Sequence, residues 1–212
     1  MKTFPVSHWK SSTPAVDPFF SNVTLLLHFD GANGSTTFTD SSSYAHNVPN
    51  TVTSSANLST SQIKFGTASG EFIKANSDGI EVTQITNEMA FGTGDFTIEW
   101  WLYDTYSMGN SNGIFSTAPA VNPPNYGVSI TLNGGSGSAS GSVGIYRNWA
   151  VAICSFAITN FVDNAWQHYA LVRSSGSMAF YSGGVAMTKT PAETEARDFQ
   201  NVHAIIGQFY ST

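Results

Sequence analysis

Apolar and polar residues alternate along much of this chain with the period of two that is typical of β-strands. The clearest case is the segment DFTIEWWLY at residues 95–103. Side chains at alternate positions of a strand point to opposite faces, so this strand is predicted to have one apolar face and one mixed face. The apolar face comprises Phe96, Ile98, Trp100 and Leu102. The mixed face comprises Thr97, Glu99, Trp101 and Tyr103.

Shorter patterns of the same kind predict further strands along the chain. They lie at residues 23–29, 36–39, 70–74, 79–82, 113–116, 126–132, 142–147, 150–158, 166–173, 177–181 and 204–207. The Gly- and Ser-rich stretch at residues 133–141 predicts a hairpin loop, and residues 174–176 predict a tight turn. Residues 191–197 are the one place where a helical turn is expected. Many short strands with frequent turns predict an all-β, two-sheet antiparallel sandwich or jelly roll.

The first 20 residues form a separate segment in this interpretation. They show no clear period and contain Pro5, Pro14 and Pro18, so we expect an extended N-terminal arm followed by one domain at residues 21–212. The arm carries large aromatic side chains, which either pack on this domain or dock on a neighbouring subunit. These side chains are Phe4, Trp9, Phe19 and Phe20.

Composition excludes several functional classes. Charged residues are 10% of the chain, with eight Lys and Arg in total, too few to neutralise a run of phosphates, so no nucleic acid is expected as a partner. No apolar stretch is long enough to span a membrane, and the N-terminus has no standard secretory signal. The single cysteine, Cys154, lies in an apolar run and is expected to be a buried, inert thiol. A coat of 28 serines and 22 threonines is expected to cover the surface.

Several sequence blocks resemble one family. The segments LLLHFDG at 25–31 and GSTTFTDSS at 34–42 resemble the opening of concanavalin A-like, laminin G-type jelly-roll domains. The blocks KFGTAS at 64–69, FGTGDFTIEWW at 91–101, WQHYALVR at 166–173 and IIG at 205–207 continue the resemblance in the same order. This variety of domain is common in phage and marine viral structural proteins, including those of cyanophages. The blocks form the fold, so they say less about function.

The sequence departs from the family in two ways. Family members usually continue past the IIG block into one more strand that closes the back sheet beside the first, whereas this sequence ends at Thr212. We therefore expect the last strand to be absent, lost by truncation or supplied in trans, which leaves a sheet edge to cover. The second departure is the arm at residues 1–20, which the bare domain lacks.

A catalytic role is disfavoured by the spacing of the acidic residues. Some concanavalin A-like folds are glucanases, and retaining glycosidases need two carboxyl groups about 5–5.5 Å apart. Glu99 and Asp104 are five positions apart, so on one strand they would face opposite sides. The five histidines are isolated from one another, and His168 belongs to a strand block in which a structural histidine is expected. We therefore predict that the protein is not an enzyme.

Two kinds of binding site remain open. Asp30, Asn33 and Asp40 border one loop and suggest a Ca²⁺ site, because many relatives hold Ca²⁺ with loop oxygens. The alternative is that these side chains cap turns, with no cofactor bound.

Aromatic side chains suggest the other site. Trp101 and Tyr103 could stack on a sugar ring, or Trp101 could pack under a covering loop. Trp149 lies near a predicted loop and is a further candidate for surface contact.

These observations leave three hypotheses for function. The first is a non-catalytic structural protein of a tailed phage, either decorating the capsid or forming part of a tail fibre. It would be located in the virion, as an oligomer in contact with copies of itself or with other virion proteins. The second is a carbohydrate-binding adhesin domain for a host surface glycan. A glycoside hydrolase is the third and is disfavoured.

Overall fold

The computed structural model describes residues 17–49, 55–73, 76, 78–105, 112–117, 127–134, 141–147, 151–191, 198–199 and 204–207. In these ranges the regular elements are fifteen β-strands and a 3-10 turn at Phe20–Asn22, and no helix is long and apolar enough to cross a membrane. The strands are β1 (Phe38–Thr39), β2 (Asn47–Val48), β3 (Asn57–Ser59), β4 (Ser69–Glu71), β5 (Ile80–Val82), β6 (Phe96–Tyr103), β7 (Asn112–Ser116), β8 (Val128–Gly134), β9 (Gly141–Arg147), β10 (Val151–Ile158), β11 (Trp166–Ser174), β12 (Ser177–Ser182), β13 (Val185–Ala186), β14 (Thr188–Pro191) and β15 (Ala204–Ile206).

Two antiparallel sheets form the body of the molecule. The larger sheet has seven strands in the order β14-β10-β9-β8-β7-β15-β5, and the smaller has four in the order β13-β12-β11-β6. Two further pairs, β1 with β2 and β3 with β4, lie in the first third of the chain. The two-sheet antiparallel sandwich predicted from the sequence is therefore confirmed.

The core lies between the inner faces of the two sheets. Phe156 on β10 and Phe180 on β12 meet there with their ring centroids 5.7 Å apart, which joins one sheet to the other. Phe180 also packs on Tyr169 and Trp100, with centroid separations of 5.9 and 6.0 Å. The inner side chains of the central strands are fully buried, and they include Val128, Ile130, Leu132, Val143, Ile145, Leu171 and Phe180.

A buried arginine closes one end of the core. Arg173 on β11 is 1% exposed, and its Nη1 donates a hydrogen bond of 3.1 Å to the carbonyl oxygen of Gly92. Its guanidinium lies 5.3 Å from the centroid of the Phe199 ring. Gly92 and Phe199 form an isolated antiparallel bridge, so the arginine holds the loop before β6 and the segment at residues 198–199 together.

The two faces predicted for the best strand are confirmed in β6. Phe96, Ile98, Trp100 and Leu102 pack against the core, whereas Trp101 is exposed on the opposite face. The β6–β11 ladder is regular over its whole length and places Trp101 opposite His168 and Tyr103 opposite Trp166. Trp101 and Tyr103 of β6 therefore lie beside His168 and Trp166 of β11 on the outer surface of the sheet.

The hairpins are also placed as predicted. Strands β8 and β9 pair up to Gly134 and Gly141, with the predicted loop between them, and residues 135–140 of that loop lie outside the described residues. Ser175 and Gly176 join β11 to β12 with φ angles of 51° and 79°, which is the conformation of a two-residue hairpin turn. Most of the predicted helical turn at 191–197 lies outside the described residues, and its first residue, Pro191, ends β14.

The prediction of a strand at residues 23–29 is wrong. Only Leu27 forms a β-bridge there, with Asp40. The reason is that the backbone groups of Leu26 bond to a loop and not to a neighbouring strand. The Asp40 carboxylate accepts a hydrogen bond from the Leu26 N–H at 2.9 Å, and the Ser41 N–H donates one to the Leu26 carbonyl oxygen at 2.8 Å. The apolar alternation still serves packing, because Leu25, Leu27 and Phe29 contact the core.

The end of the predicted arm forms turns instead of an extended chain. The N–H of Phe19 donates to the Asp17 carboxylate at 2.9 Å, and the 3-10 turn Phe20–Asn22 follows. Phe19 is 69% exposed and Phe20 is 37% exposed, so neither is buried in this domain. Phe4 and Trp9 lie outside the described residues.

We expect Phe180→Ala to lower the free energy of unfolding by about 3–5 kcal/mol, because it removes a fully buried ring that joins the two sheets. Urea unfolding followed by tryptophan fluorescence measures this change. Val185→Ala is the matched control, since Val185 is 56% exposed on β13 and its truncation should change stability by less than about 0.5 kcal/mol. Equal effects of the two variants would contradict this account of the core.

Candidate functional site

The outer surface of the four-stranded sheet carries a row of aromatic and imidazole side chains, which we call the aromatic face. It comprises Trp101 and Tyr103 from β6 and Trp166 and His168 from β11. The ring centroids of Trp101 and His168 are 5.2 Å apart, and those of Tyr103 and Trp166 are 5.6 Å apart. These cross-strand contacts hold the rings in fixed positions on the sheet.

A loop between β3 and β4 reaches the aromatic face. Phe65 meets Trp101 edge-on at 5.7 Å, and Lys64 places its ammonium group 4.1 Å from the centroid of the Trp101 ring. Trp101 nevertheless keeps 40% of its surface exposed, and Phe65 keeps 64%. The loop therefore covers one side of the indole, which is the packing alternative for Trp101, and leaves the rest open; stacking on a sugar ring stays a prediction.

A charged group lies beside the indole. The carboxylate of Glu99 is 3.4 Å from Nε2 of His168, and the Glu99 side chain is 66% exposed. Together with Lys64, this pair surrounds Trp101 with hydrogen-bond donors and acceptors. A partly exposed indole with polar groups at its rim can hold a ring that is apolar on its faces and polar at its edges.

The arrangement offers little for hydrolysis. Glu99 contacts His168 on the outer surface of the sheet. Asp104 follows the end of β6, and its charge acts on the hydroxyl of Tyr169, which faces the core, so the two acids do not face each other. In the part of the chain that the structure describes, no cluster of three or more His, Cys, Asp or Glu side chains is arranged to hold a metal ion.

The three residues considered for Ca²⁺ all bind parts of the protein itself. The Asp30 carboxylate accepts from the Thr67 N–H at 2.6 Å and from the Thr67 hydroxyl at 3.2 Å. These hydrogen bonds, the backbone one above all, lower the pKa of Asp30. The Asn33 side-chain oxygen accepts from the N–H and hydroxyl of Thr60 at 3.0 and 3.2 Å. Each side chain therefore ties one loop to another, and a Ca²⁺ site stays a prediction.

Asp40 is the centre of the largest of these networks. Its carboxylate accepts from the N–H groups of Leu26, Ser42 and His46, from the Ser42 hydroxyl and from Nδ1 of His46, all between 2.8 and 2.9 Å. Burial alone would raise the pKa of Asp40, but the backbone N–H groups outweigh burial and lower it from 3.8 to about 2. His46 is itself held by Tyr44, whose ring stacks on the imidazole at 5.5 Å.

Two members of the aromatic face, Trp101 and Tyr103, can be predicted from the sequence, and the others cannot. Trp166, His168, Lys64 and Phe65 belong to blocks that indicate only the fold, because their positions beside Trp101 and Tyr103 depend on strand register and on the path of a loop. The pair of aromatic residues in the WQH segment was the one available signal. Trp149, the third aromatic candidate, lies outside the described residues.

Comparison with known proteins supports the fold. No family model matches the chain, and no curated protein sequence is significantly similar to it. The binding domain of Paraclostridial mosquitocidal protein 1 is similar in structure, with a TM-score of 0.56 and 16% identity, over 88% of this chain and 45% of that one. A botulinum neurotoxin type C structure, for which cell entry is described as dependent upon interaction with two ganglioside molecules, has a TM-score of 0.54 at 16% identity, over 90% and 44%.

The binding domain of botulinum neurotoxin DC, in complex with rat synaptotagmin II, is a third similar structure. Its TM-score is 0.53 at 16% identity, over 89% of this chain and 45% of that one. The chain thus spans less than half the length of each of these proteins. At such low identity the similarity shows a shared fold, the jelly roll.

We expect Asp40→Asn to lower the free energy of unfolding at pH 7 by about 2 kcal/mol, the energy of a pKa held about two units below that of the unfolded state. Because the folded pKa is lowered, this stabilisation is present above about pH 4 and is lost as the pH falls towards 2. Urea unfolding of both proteins between pH 7 and pH 2 measures it. Asp163→Asn, at an exposed carboxylate, is the control. A wild-type advantage that did not change with pH would contradict this role for Asp40.

Proposed function

We propose that this chain is a non-catalytic, lectin-like binding domain whose aromatic face takes a glycan. The observation that carries the proposal is the partly exposed Trp101, held between His168 and the Lys64–Phe65 loop on an otherwise regular sheet. Trp101 is 40% exposed, and covering it with the apolar face of a sugar ring would remove apolar surface from water, which lowers the free energy of the complex.

Polar groups around the Trp101 ring would orient the bound sugar. Glu99 and His168 stand on one side of the indole, and the Lys64 ammonium lies against its ring. A sugar ring stacked on Trp101 would place its hydroxyls near these donors and acceptors. Weak, shallow recognition of this kind suits a binding domain, whereas a glycosidase needs two acids facing each other across the scissile bond.

The structural neighbours support a binding role. They include a mosquitocidal toxin binding domain and a botulinum neurotoxin for which two ganglioside molecules are named as the interaction partners. Gangliosides are glycolipids, so a glycan is a ligand that this fold can accommodate. This likeness is one of fold, and it supports the aromatic face as the site only together with the exposed rings.

We further propose that the domain works in the virion of a tailed phage, as a capsid-decorating or tail-fibre component in contact with copies of itself or other virion proteins. Support comes from the resemblance of the sequence blocks and from Phe19, which is 69% exposed at the end of the arm. Low charge and abundant hydroxyl groups suit the outer surface of an extracellular particle.

We expect Trp101→Ala to weaken glycan binding about thirtyfold, because truncating a central aromatic contact costs about 2 kcal/mol. An array of host and bacterial surface glycans identifies the ligand, and calorimetric titration of that ligand gives the dissociation constants. Tyr44→Ala is the control, since Tyr44 is a similarly exposed aromatic residue outside the aromatic face. No binding to any glycan on the array would reject the proposal, as would equal losses in the two variants.

We expect the double variant Phe19→Ala, Phe20→Ala to assemble onto particles less completely than the wild type, and removal of residues 1–20 to have a larger effect. The reason is that an exposed apolar side chain gains stability only when a partner covers it. Mass spectrometry of purified phage particles measures occupancy. Circular dichroism of the free variant controls for folding. Unchanged occupancy after removal of the arm would refute docking by the arm.

A further inference from the structure

We infer that the free edge of β6 is a self-association site, where β6 of one copy pairs antiparallel with β6 of a second copy. In the part of the chain that the structure describes, β11 is the one strand bonded to β6, so β6 is an edge of the four-stranded sheet. This inference does not depend on the proposed glycan.

The backbone groups that point to this edge can be identified from one hydrogen bond. The Gly183 N–H donates to the carbonyl oxygen of His168 at 2.8 Å, so His168 directs its backbone groups to the β12 side of β11. Successive residues direct their groups to opposite sides, so Tyr169 bonds to β6 through its partner Trp100. By the same alternation, the N–H and carbonyl groups that face the free edge belong to Thr97, Glu99, Trp101 and Tyr103.

This edge is less protected than the other sheet edges. Edge strands are normally kept from pairing by short length, proline, charge, a bulge or a covering loop. The Lys64–Phe65 loop contacts the Trp101 side chain, but in the described residues it makes no backbone hydrogen bond to β6. Strand β14 carries Lys189 and Pro191, β5 has three residues around Glu81, and β13 has two residues. Strand β6 has eight residues, an unbroken register with β11, no proline and one charged side chain, Glu99.

The core beneath β6 is incompletely covered as well. Phe96, Ile98, Trp100 and Leu102 face the core, but all four are only partly buried. The equivalent side chains of the next strand, Tyr169 and Leu171, are 1% and 0% exposed. A strand added at the β6 edge would bury this remaining apolar surface in addition to satisfying the backbone groups.

A second copy of β6 fits this edge in one favourable register. When Thr97 pairs with Tyr103 and Glu99 pairs with Trp101, all four edge-facing residues find a partner, and Trp100 lies at the twofold axis. A shift of two residues in one direction would place Glu99 opposite Glu99, which is destabilising, and would leave fewer pairs. The favoured register yields an eight-stranded sheet with the two aromatic faces on the same side.

Sedimentation velocity over a series of concentrations tests the dimer. We expect the wild type to dimerise and Thr97→Pro to weaken the dimer at least about tenfold, because proline removes an N–H that faces the free edge and spares the bonds to β11. Thr97→Val, which keeps the N–H, is the matched control and should dimerise as the wild type does. A wild type that stays monomeric would overturn the inference. So would a dimer that survives Thr97→Pro and disappears when residues 1–16 are removed.

Disulfide trapping tests the register, and it decides the question if Thr97→Pro does not fold. Paired residues at this edge would have Cα atoms about 5.5 Å apart, within disulfide range, whereas two copies of Thr97 would be about 20 Å apart. We expect a mixture of Thr97→Cys and Tyr103→Cys chains to form a cross-linked heterodimer under oxidation, and Thr97→Cys alone to form none. The native Cys154 is buried and is the same in both chains. Cross-linking of Thr97→Cys to itself, or no cross-link in the mixture, would overturn the proposed pairing.

Discussion

The ladder between β6 and β11 is the constraint on which both the core and the candidate site depend. Because side chains alternate between faces, one register decides at once which residues enter the sandwich and which meet on its surface. Tyr169 stacks on Trp100 on the inside, and His168 packs on Trp101 on the outside. A slip of one residue would send the aromatic face into the core and expose the inner side chains, so the stability of the sandwich maintains the geometry of the surface.

The first third of the chain is organised by side chains where a regular sheet is missing. Asp40 receives five hydrogen bonds from three other residues and thereby holds the segment at residues 24–26 against the loop at 40–46. Asp30 and Asn33 connect the next loop to Thr67 and Thr60 in a similar way. The hydrogen bonds of Asp30 and Asn33 hold the two ends of the loop that bears Lys64 and Phe65. Residues outside the aromatic face therefore help to position this loop against Trp101.

Scarcity of charge has a different consequence inside the larger sheet than on the surface. Ser116 and Ser129 share a hydrogen bond of 2.7 Å between their hydroxyls, and both residues are buried. Small hydroxyl groups can satisfy each other in this way, whereas charged groups in the same positions would have to be desolvated. The abundance of serine and threonine therefore serves interior strands as well as the solvent-facing surface.

The sequence alone determined the fold class, most strand positions and the inner face of β6, because these depend on local periodicity and turn chemistry. It also located Trp101 and Tyr103 on the outer face. It could not determine that residues 23–29 do not pair as a strand, because this depends on the hydrogen bond that the Leu26 N–H donates to Asp40, more than ten positions away. Only the tertiary structure decided that Trp166, His168 and Lys64 gather around the two aromatic residues and that β6 forms an edge. Strand register and strand order bring together residues that are distant in sequence. The pattern of a single segment does not indicate which other segments lie beside it.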